Sequence, residues 1–380
     1  MEEETSQPLV FVIVAAEESG DRIGASLINS IKSQYPNAVF YGVAGEKMQA
    51  EGAIAWYSIK DFSVMGFIDV LKNYRKLSGY IKKIIALSKS INPDYFIGID
   101  APDLNFRFHK PFKQAGIKNI QYVSPQLWAW RKSRVNFVRQ YIDMTLCLFP
   151  FEHNFYHKNN IRSLLVGHPL VANIKKEIQT GVSRDNTLDS IALMPGSRSH
   201  EIKYHLPIMI DIANVVSRKK SNISFKFILP NDFWGKKVEA MIKAYQIEFN
   251  YLIYTNNQYR QLSESKLAII ASGTAALESA LLGVPTAVIY KTHWLNYLIF
   301  SLFGVTKREF YSLPNIIFQR EYFKEFIGMT INKAQLKSHI FELLNLNKNN
   351  ISSFKDGQSY LLNTLSPIDE KLIVKAILDL

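Results

Sequence analysis

Residues 268–291, AIIASGTAALESALLGVPTAVIYK, constrain the fold more than any other stretch of the chain. An apolar, β-branched run ends at Ala271 and breaks at Ser272-Gly273-Thr274. The Ala-Ala-Leu-Glu-Ser-Ala-Leu-Leu that follows has helix-favouring composition. Gly283 closes that helix as a C′ glycine does, Pro285 prevents its continuation, and residues 286–290 return to strand. A strand, turn, helix and strand in so few residues belong in a parallel sheet.

In such a sheet, the turn after the first strand aims backbone N–H groups and the positive end of a helix at whatever binds there, so an anion is the natural guest. Gly273 allows close backbone approach. Thr274 either caps the helix or offers its hydroxyl, and Glu278, one turn deeper on the same face, is placed to accept both hydroxyls of a ribose. The same residues also suit a plain capped helix carrying one solvated glutamate.

The pattern recurs along the chain. Apolar runs at 9–16, 38–43, 94–99, 120–123 and 144–149 alternate with helical segments, and a second series has strands at 190–194, 225–229 and 251–254 before the stretch above. At 380 residues the chain exceeds one ordinary core. The expected fold is α/β: two doubly wound domains facing across a cleft. The expected boundaries are 1–170 and 189–365, joined by a polar linker at 171–188. Residues 366–380 form a last helix that crosses back to the first domain or to a partner. Past 315 the chain reads as helical. The single cysteine, Cys147, sits in an apolar run and reads as a buried small hydrophobe, which excludes an internal disulfide and fits a reducing compartment.

A net charge of +12 calls for an anionic partner: nucleic acid, a phosphorylated substrate or an acidic membrane surface. Nucleic acid is the weakest of these, because the charge is spread and no binding module is present. The N-terminus, Met-Glu-Glu-Glu, is the reverse of a signal peptide, and the run 9–16 is too short to span a bilayer, so a cytoplasmic protein is expected. Two segments suit either ordinary packing or docking on anionic lipid. One is the helical segment 63–89, with Lys72, Arg75, Lys76, Lys82 and Lys83; the other is the aromatic run 293–305.

In the second domain, Gly196-Ser197-Arg198 offers a backbone nest and a guanidinium, and Ser272-Gly273-Thr274 a helix N-terminus; together they suit a diphosphate. In the first, Asp100 ends a buried strand, where open α/β sheets keep their chemistry. It is the candidate base for an acceptor hydroxyl, with Asp103 competing and a helix-capping role the plain alternative. Trp128 and Trp130 lie just before Arg131 and suit ring stacking or a lipid interface. His153 and His157 are four apart but lack a third ligand, and no Asp-x-Asp motif is present, so no metal or cofactor is expected, and Arg198 and the helix dipole must stabilise the leaving group. The constellation is that of a glycosyltransferase.

Eight separated motifs carry a resemblance over nearly the whole chain: EESGD (17–21), GVAGEKMQAEG (42–52), VMGFIDVL (64–71), GIDAPDLN (98–105), YVSPQLWAWR (122–131), PGSR (195–198), SGTAALE (272–278) and SLPN (312–315). The sequence resembles the lipid-A-disaccharide synthase family. The resemblance implies two Rossmann-like domains of the GT-B glycosyltransferase architecture, and an inverting transfer from UDP-2,3-diacylglucosamine to 2,3-diacylglucosamine 1-phosphate (lipid X), with release of UDP, by an enzyme attached peripherally to the cytoplasmic face of the inner membrane. It assigns Asp100 as catalytic carboxylate, Arg198 and Glu278 as donor contacts, Asn315 as a further active-site residue and Ser19 as a first-domain turn contact. A homodimer is left open. The chain departs from the family pattern at Ala16, where a glycine is usual, at Glu18, where a small residue is, and at Ser199-His200. The rival readings are another UDP-sugar enzyme of the same build, such as an epimerase, and a non-catalytic binder of UDP-sugar or acyl-phosphosugar.

Overall fold

The computed structural model describes residues 7–62, 67–127, 132–179, 188–291 and 309–380. Trp128 and the 293–305 segment lie outside the described residues, as do 180–187 of the expected linker. The chain forms two units, Met1–His168 with Pro367–Leu380, and Pro169–Ser366.

The first unit is built on a seven-stranded sheet, every pair parallel, in the order β3-β2-β1-β4-β5-β6-β7. Its strands are β1 (Val10–Ala15), β2 (Val39–Ala44), β3 (Ala53–Ser58), β4 (Tyr95–Ile99), β5 (Lys118–Tyr122), β6 (Met144–Cys147) and β7 (Ser163–Leu165). The helices that follow them are α1 (Glu18–Gln34), α2 (Glu46–Ala50), α3 (Phe67–Ile91), α4 (Pro102–Gln114), α5 (Val135–Tyr141) and α6 (Pro150–Lys158). β1 and β4 are buried along nearly their whole length, so their apolar runs are continuous rather than alternating, as a sheet covered on both faces requires. Cys147 is fully buried, and burial pushes its thiol up to about 12. β3 was not anticipated from the sequence; it is an edge strand, and four of its six residues are only half-buried.

Two of the eight motifs serve this framework. The buried Asp21 carboxylate accepts the backbone N–H groups of Gly45 (2.8 Å), Lys47 (3.0 Å) and Met48 (3.2 Å), so a residue of α1 caps α2. A Cβ on Gly45 would lie 2.4 Å from that carboxylate, which ties EESGD to GVAGEKM.

The second unit has a six-stranded parallel sheet in the order β10-β9-β8-β11-β12-β13. The chain enters it through α7 (Pro169–Gln179). The first part of the expected linker is therefore an amphipathic helix that buries Leu170, Val171 and Ile174, three apolar residues at helical spacing among polar neighbours. Then come β8 (Leu188–Met194), α8 (Ser199–Lys219), β9 (Ser224–Ile228), α9 (Asp232–Ile242), β10 (Tyr251–Tyr254), α10 (Gln258–Ser263), β11 (Ser265–Ala271), α11 (Thr274–Leu281) and β12 (Thr286–Lys291). The unit closes with α12 (Leu313–Phe318), β13 (Lys324–Gly328), α13 (Lys333–Leu344) and α14 (Lys348–Thr364). β13 corrects the expectation of helix throughout this region; like β3 it is a short edge strand.

After Ser366 the chain returns to the first unit. α15 (Glu370–Leu378) packs on α1, burying Ile373, Val374 and Ile377, and the Glu370 carboxylate accepts the hydroxyls of Ser26 and Ser30. Among the described residues no helix is long and apolar enough to cross a membrane.

Candidate active site

A cavity of about 300 Å³ opens at the carboxyl ends of β8, β9 and β11, lined by Gly196, Ser197, Arg198, Glu201, Ser272, Gly273, Thr274 and Glu278 among others. The two turns singled out in the sequence thus meet in one pocket. α11 begins at Thr274 and no side chain caps its first turn, so the expected capping role of Thr274 is not used and its hydroxyl stays exposed. A Cβ on Gly273 would meet nothing within 4 Å, and its φ of 166° is extended backbone that any residue adopts. Folding therefore does not demand glycine here.

Glu278 projects into the same cavity, half-buried, with no hydrogen-bond or ion-pair partner among the described residues. Burial alone pushes its carboxyl up to about 7, so near neutrality the group is divided between acid and carboxylate.

The expected nest at Gly196-Ser197-Arg198 is already filled. Glu201 Oε2 accepts the N–H groups of Ser197 (2.9 Å) and Arg198 (3.2 Å), while Oε1 accepts from Arg198 Nη1 at 3.3 Å. A carboxylate three residues past the N-cap reaches back to it, one half of a capping box, and here it closes the loop against other anions. What Arg198 leaves for a ligand is its guanidinium, 73% exposed at the cavity mouth. Gly196 is a structural necessity: its φ is +119° and a Cβ would lie 2.6 Å from Glu201.

Behind this loop the buried His205 uses both ring nitrogens. Nδ1–H donates to the Pro195 carbonyl at 3.0 Å, and Nε2 accepts the Lys291 N–H at 2.9 Å, which ties the loop after β8 to the end of β12. Burial keeps the ring neutral by lowering its pKa.

Asn315, expected in the active site from the resemblance, is held here within the fold. It is fully buried, its Nδ2 donates to Phe323 O and Glu325 Oε1 (both 2.8 Å), and its Oδ1 accepts Tyr322 N–H (2.9 Å) and Phe323 N–H (2.8 Å). With two donors and two lone pairs engaged, it has no valence left for a ligand.

The first unit has its own pocket, about 150 Å³, lined by Asp100, Pro102, Asp103, Phe106, 123–127 and Arg134. Asp100 follows β4 directly, half-buried, and desolvation raises its pKa. The next helix is N-capped by Ala101 with no side-chain cap, so the capping alternative for Asp100 falls away. Three residues beside this pocket hold left-handed backbone: Asp100 (φ 51°), Ala101 (35°) and the β-branched Val123 (66°). Such backbone costs about 1–3 kcal/mol per residue and persists only where the surroundings over-determine it.

The surroundings do so through buried amides. The Asp100 carbonyl accepts Asn105 Nδ2 (2.7 Å) and Gln121 Nε2 (2.9 Å), and Gln121 Nε2 also lies 3.2 Å from the Val123 carbonyl. Gln121 is held in turn by the buried His109, Oε1 to Nε2 at 3.0 Å; desolvation lowers that imidazole to about 4, so it is a neutral donor. Gly98 completes the arrangement, because a Cβ there would lie 2.7 Å from the Asn105 side chain.

Asp103 forms an exposed ion pair with Arg134 instead of facing the pocket as an unpaired base. Ser19 lies exposed in the first turn of α1, and neither pocket includes it. Sequence reading missed Glu201, His205, Gln121, His109 and Arg134. Only Glu201 carried a local signal, its capping-box spacing; the others act across elements.

A family model described as lipid-A-disaccharide synthetase matches residues 11–376. The lipid-A-disaccharide synthase of Acinetobacter baylyi is 35% identical over 348 residues, covering 88% of this chain and 87% of the relative. That of Idiomarina loihiensis is 32% identical over 344 residues, covering 89% and 90%. Among solved structures, a UDP-GlcNAc 2-epimerase from Neisseria meningitidis bound to UDP-GlcNAc aligns with a TM-score of 0.59 at 12% identity, covering 98% of this chain and 100% of that one. A glycotransferase of kitacinnamycin aligns with a TM-score of 0.60 at 12% identity, covering 98% and 99%. At such identity these two show a shared fold.

Proposed function

The chain belongs to the lipid-A-disaccharide synthase family, and from that premise we propose how its two pockets divide the glycosyl transfer that makes the lipid A disaccharide. The second unit holds UDP-2,3-diacylglucosamine. The N-terminus of α11 faces the diphosphate, the Arg198 guanidinium balances the charge that develops on it, and the Glu278 carboxylate accepts the ribose hydroxyls. With Glu201 occupying the loop N–H groups, charge stabilisation rests on Arg198 and α11, and the transfer needs no divalent metal.

Asp100 removes the proton from the acceptor hydroxyl of lipid X as that oxygen bonds to the anomeric carbon. The bond to the diphosphate oxygen breaks on the opposite face, the configuration inverts, and UDP leaves. A carboxylate with a raised pKa is the better base for this step. The observation that carries the reading is the convergence in one cavity of Arg198, an uncapped helix turn and the carboxyl of Glu278, unpaired among the described residues.

Both substrates carry acyl chains, and we assign the protein to the cytoplasmic face of the inner membrane as a peripheral protein. In support, α3 turns Leu77, Ile81 and Ile84 inward and leaves Arg75, Lys76, Lys82 and Lys83 exposed.

The test is turnover of both substrates in mixed micelles with EDTA, following UDP and lipid disaccharide together. Equal amounts of both are expected. Asp100→Asn should lower kcat by about 10²–10⁴-fold and Arg198→Ala by about 10²–10³-fold. Binding of the donor without product would move the protein to the class of non-catalytic UDP-sugar binders, and dependence on added metal would refute the charge-stabilising role given to Arg198.

A further inference from the structure

The acceptor of the proposed reaction has two chemically distinct ends: the hydroxyl that attacks and, across the same hexose ring, a phosphate dianion. Asp100 serves the first. Among the described residues that line its pocket, Arg134 is the only cation. Its guanidinium is held from two sides. Nη1 donates to Asp103 Oδ1, and the guanidinium carbon lies 5.4 Å from the centre of the Phe106 ring, itself stacked on Phe137 at 4.8 Å.

An exposed ion pair of this kind contributes only about 0–1 kcal/mol to folding, so stability does not explain why the arginine is braced at a pocket mouth. The ion pair uses one of the five N–H donors, and the planar fork matches a phosphate.

We infer that Arg134 binds the phosphate of the acceptor sugar, that Asp103 and Phe106 position its guanidinium, and that Arg134 thereby selects a phosphorylated acceptor over its phosphate-free counterpart. The inference rests on the reading of this pocket as the acceptor site. It gives Asp103 the part of orienting a cation, and it explains why a pocket built around a carboxylate tolerates a dianionic ligand.

The experiment compares lipid X with phosphate-free 2,3-diacylglucosamine in mixed micelles, by turnover and by binding to the full chain. For Arg134→Ala, kcat/KM and affinity for lipid X should fall about 10–100-fold, the scale of a lost charge-assisted hydrogen bond. Values for the phosphate-free acceptor should change less than about twofold, the range of an ordinary surface substitution. Arg134→Lys should recover part of the loss, and Asp103→Asn should raise KM for lipid X while leaving kcat and its pH profile in place. Equal losses on both acceptors, or an unchanged response to lipid X, would overturn the inference. A failure of the underlying reading shows separately, as full turnover by Asp100→Asn. Thermal melts of each variant identify any loss of activity that comes from unfolding.

Discussion

Gly196 and Gly273 follow the ends of β8 and β11 and line the same cavity, yet glycine answers different demands at the two positions. At Gly196 a side chain collides with Glu201 and the backbone is left-handed, so Gly196→Ala should destabilise the protein by about 1–3 kcal/mol and disorder the loop that carries Arg198. At Gly273 the protein itself leaves room. Gly273→Ala should leave the melting temperature almost unchanged while raising KM for the nucleotide donor; an unchanged KM would mean that no ligand approaches this turn. Glu278 adds a pH dependence. Its folded pKa, about 7, lies above the ordinary carboxylate value, so its unfavourable burial is absent below the unfolded value and grows as pH rises through 7. Glu278→Gln should therefore be more stable than wild type at pH 8, by about 1–3 kcal/mol, and equal to it near pH 4. Donor affinity of the wild type should rise as pH passes 7 and level off, whereas the glutamine variant should show no such step. Identical profiles would remove the carboxylate from ribose recognition.

At the scale of elements, what the sequence revealed follows from where apolar pattern is strong. Central strands such as β1, β4 and most of β11 are continuous apolar runs, and α11 has glycine at both ends, so the framework around both pockets was legible within about three residues. Among the described residues β3 and β13 are edge strands, and they escaped because small or charged residues interrupt their apolar pattern, whereas the edge strand β10, with its Tyr-Leu-Ile-Tyr run, was legible. α7 escaped because its three buried residues are diluted by lysines and a glutamate. Two site residues or turns have structural partners that the sequence did not disclose, for one cause. The nest before α8 and Asn315 were judged by residue type, and in both the hydrogen-bonding capacity had already been used, by Glu201 in one case and by the chain after α12 in the other. Satisfaction of polar groups depends on partners brought by the fold, which spacing does not disclose. The same holds for Gln121, where one amide on β5 fixes the carbonyl of Asp100 after β4. Gly98→Ala would drive Asn105 off that carbonyl, so it should lower kcat far more than it raises KM for the donor, whose proposed site is in the second unit. A loss confined to donor KM would contradict this.

For the whole molecule, the first unit depends on residues at both ends of the chain, and its acid stability depends on groups buried within it. Ending the chain at Ser366 removes three buried aliphatic residues of α15, and each is worth about 1.5–3 kcal/mol when covered. The first unit should melt earlier and exchange its β1 and α1 amides faster, while protection in the second unit's β8 and β11 persists. The acid response is set chiefly by His109. Its folded pKa, about 4, lies well below that of a free histidine, near 6.5. The unfolded chain therefore takes up a proton that the folded chain refuses, and stability that is complete above 6.5 drains away as pH falls towards 4, by about 3 kcal/mol for this one group. His168, also lowered to about 4 but only partly covered, adds in the same direction and less. The raised carboxyl of Asp100 works the other way, since it gains a proton more readily folded than unfolded. The urea midpoint of the first unit should fall steadily from pH 7 to pH 4.5, and His109→Gln, which cannot take up a proton, should flatten most of that slope. Because Gln121 is held through His109, the same variant should lose turnover at neutral pH even where it is more stable in acid; intact turnover would show that the Asp100 backbone is held without the buried imidazole.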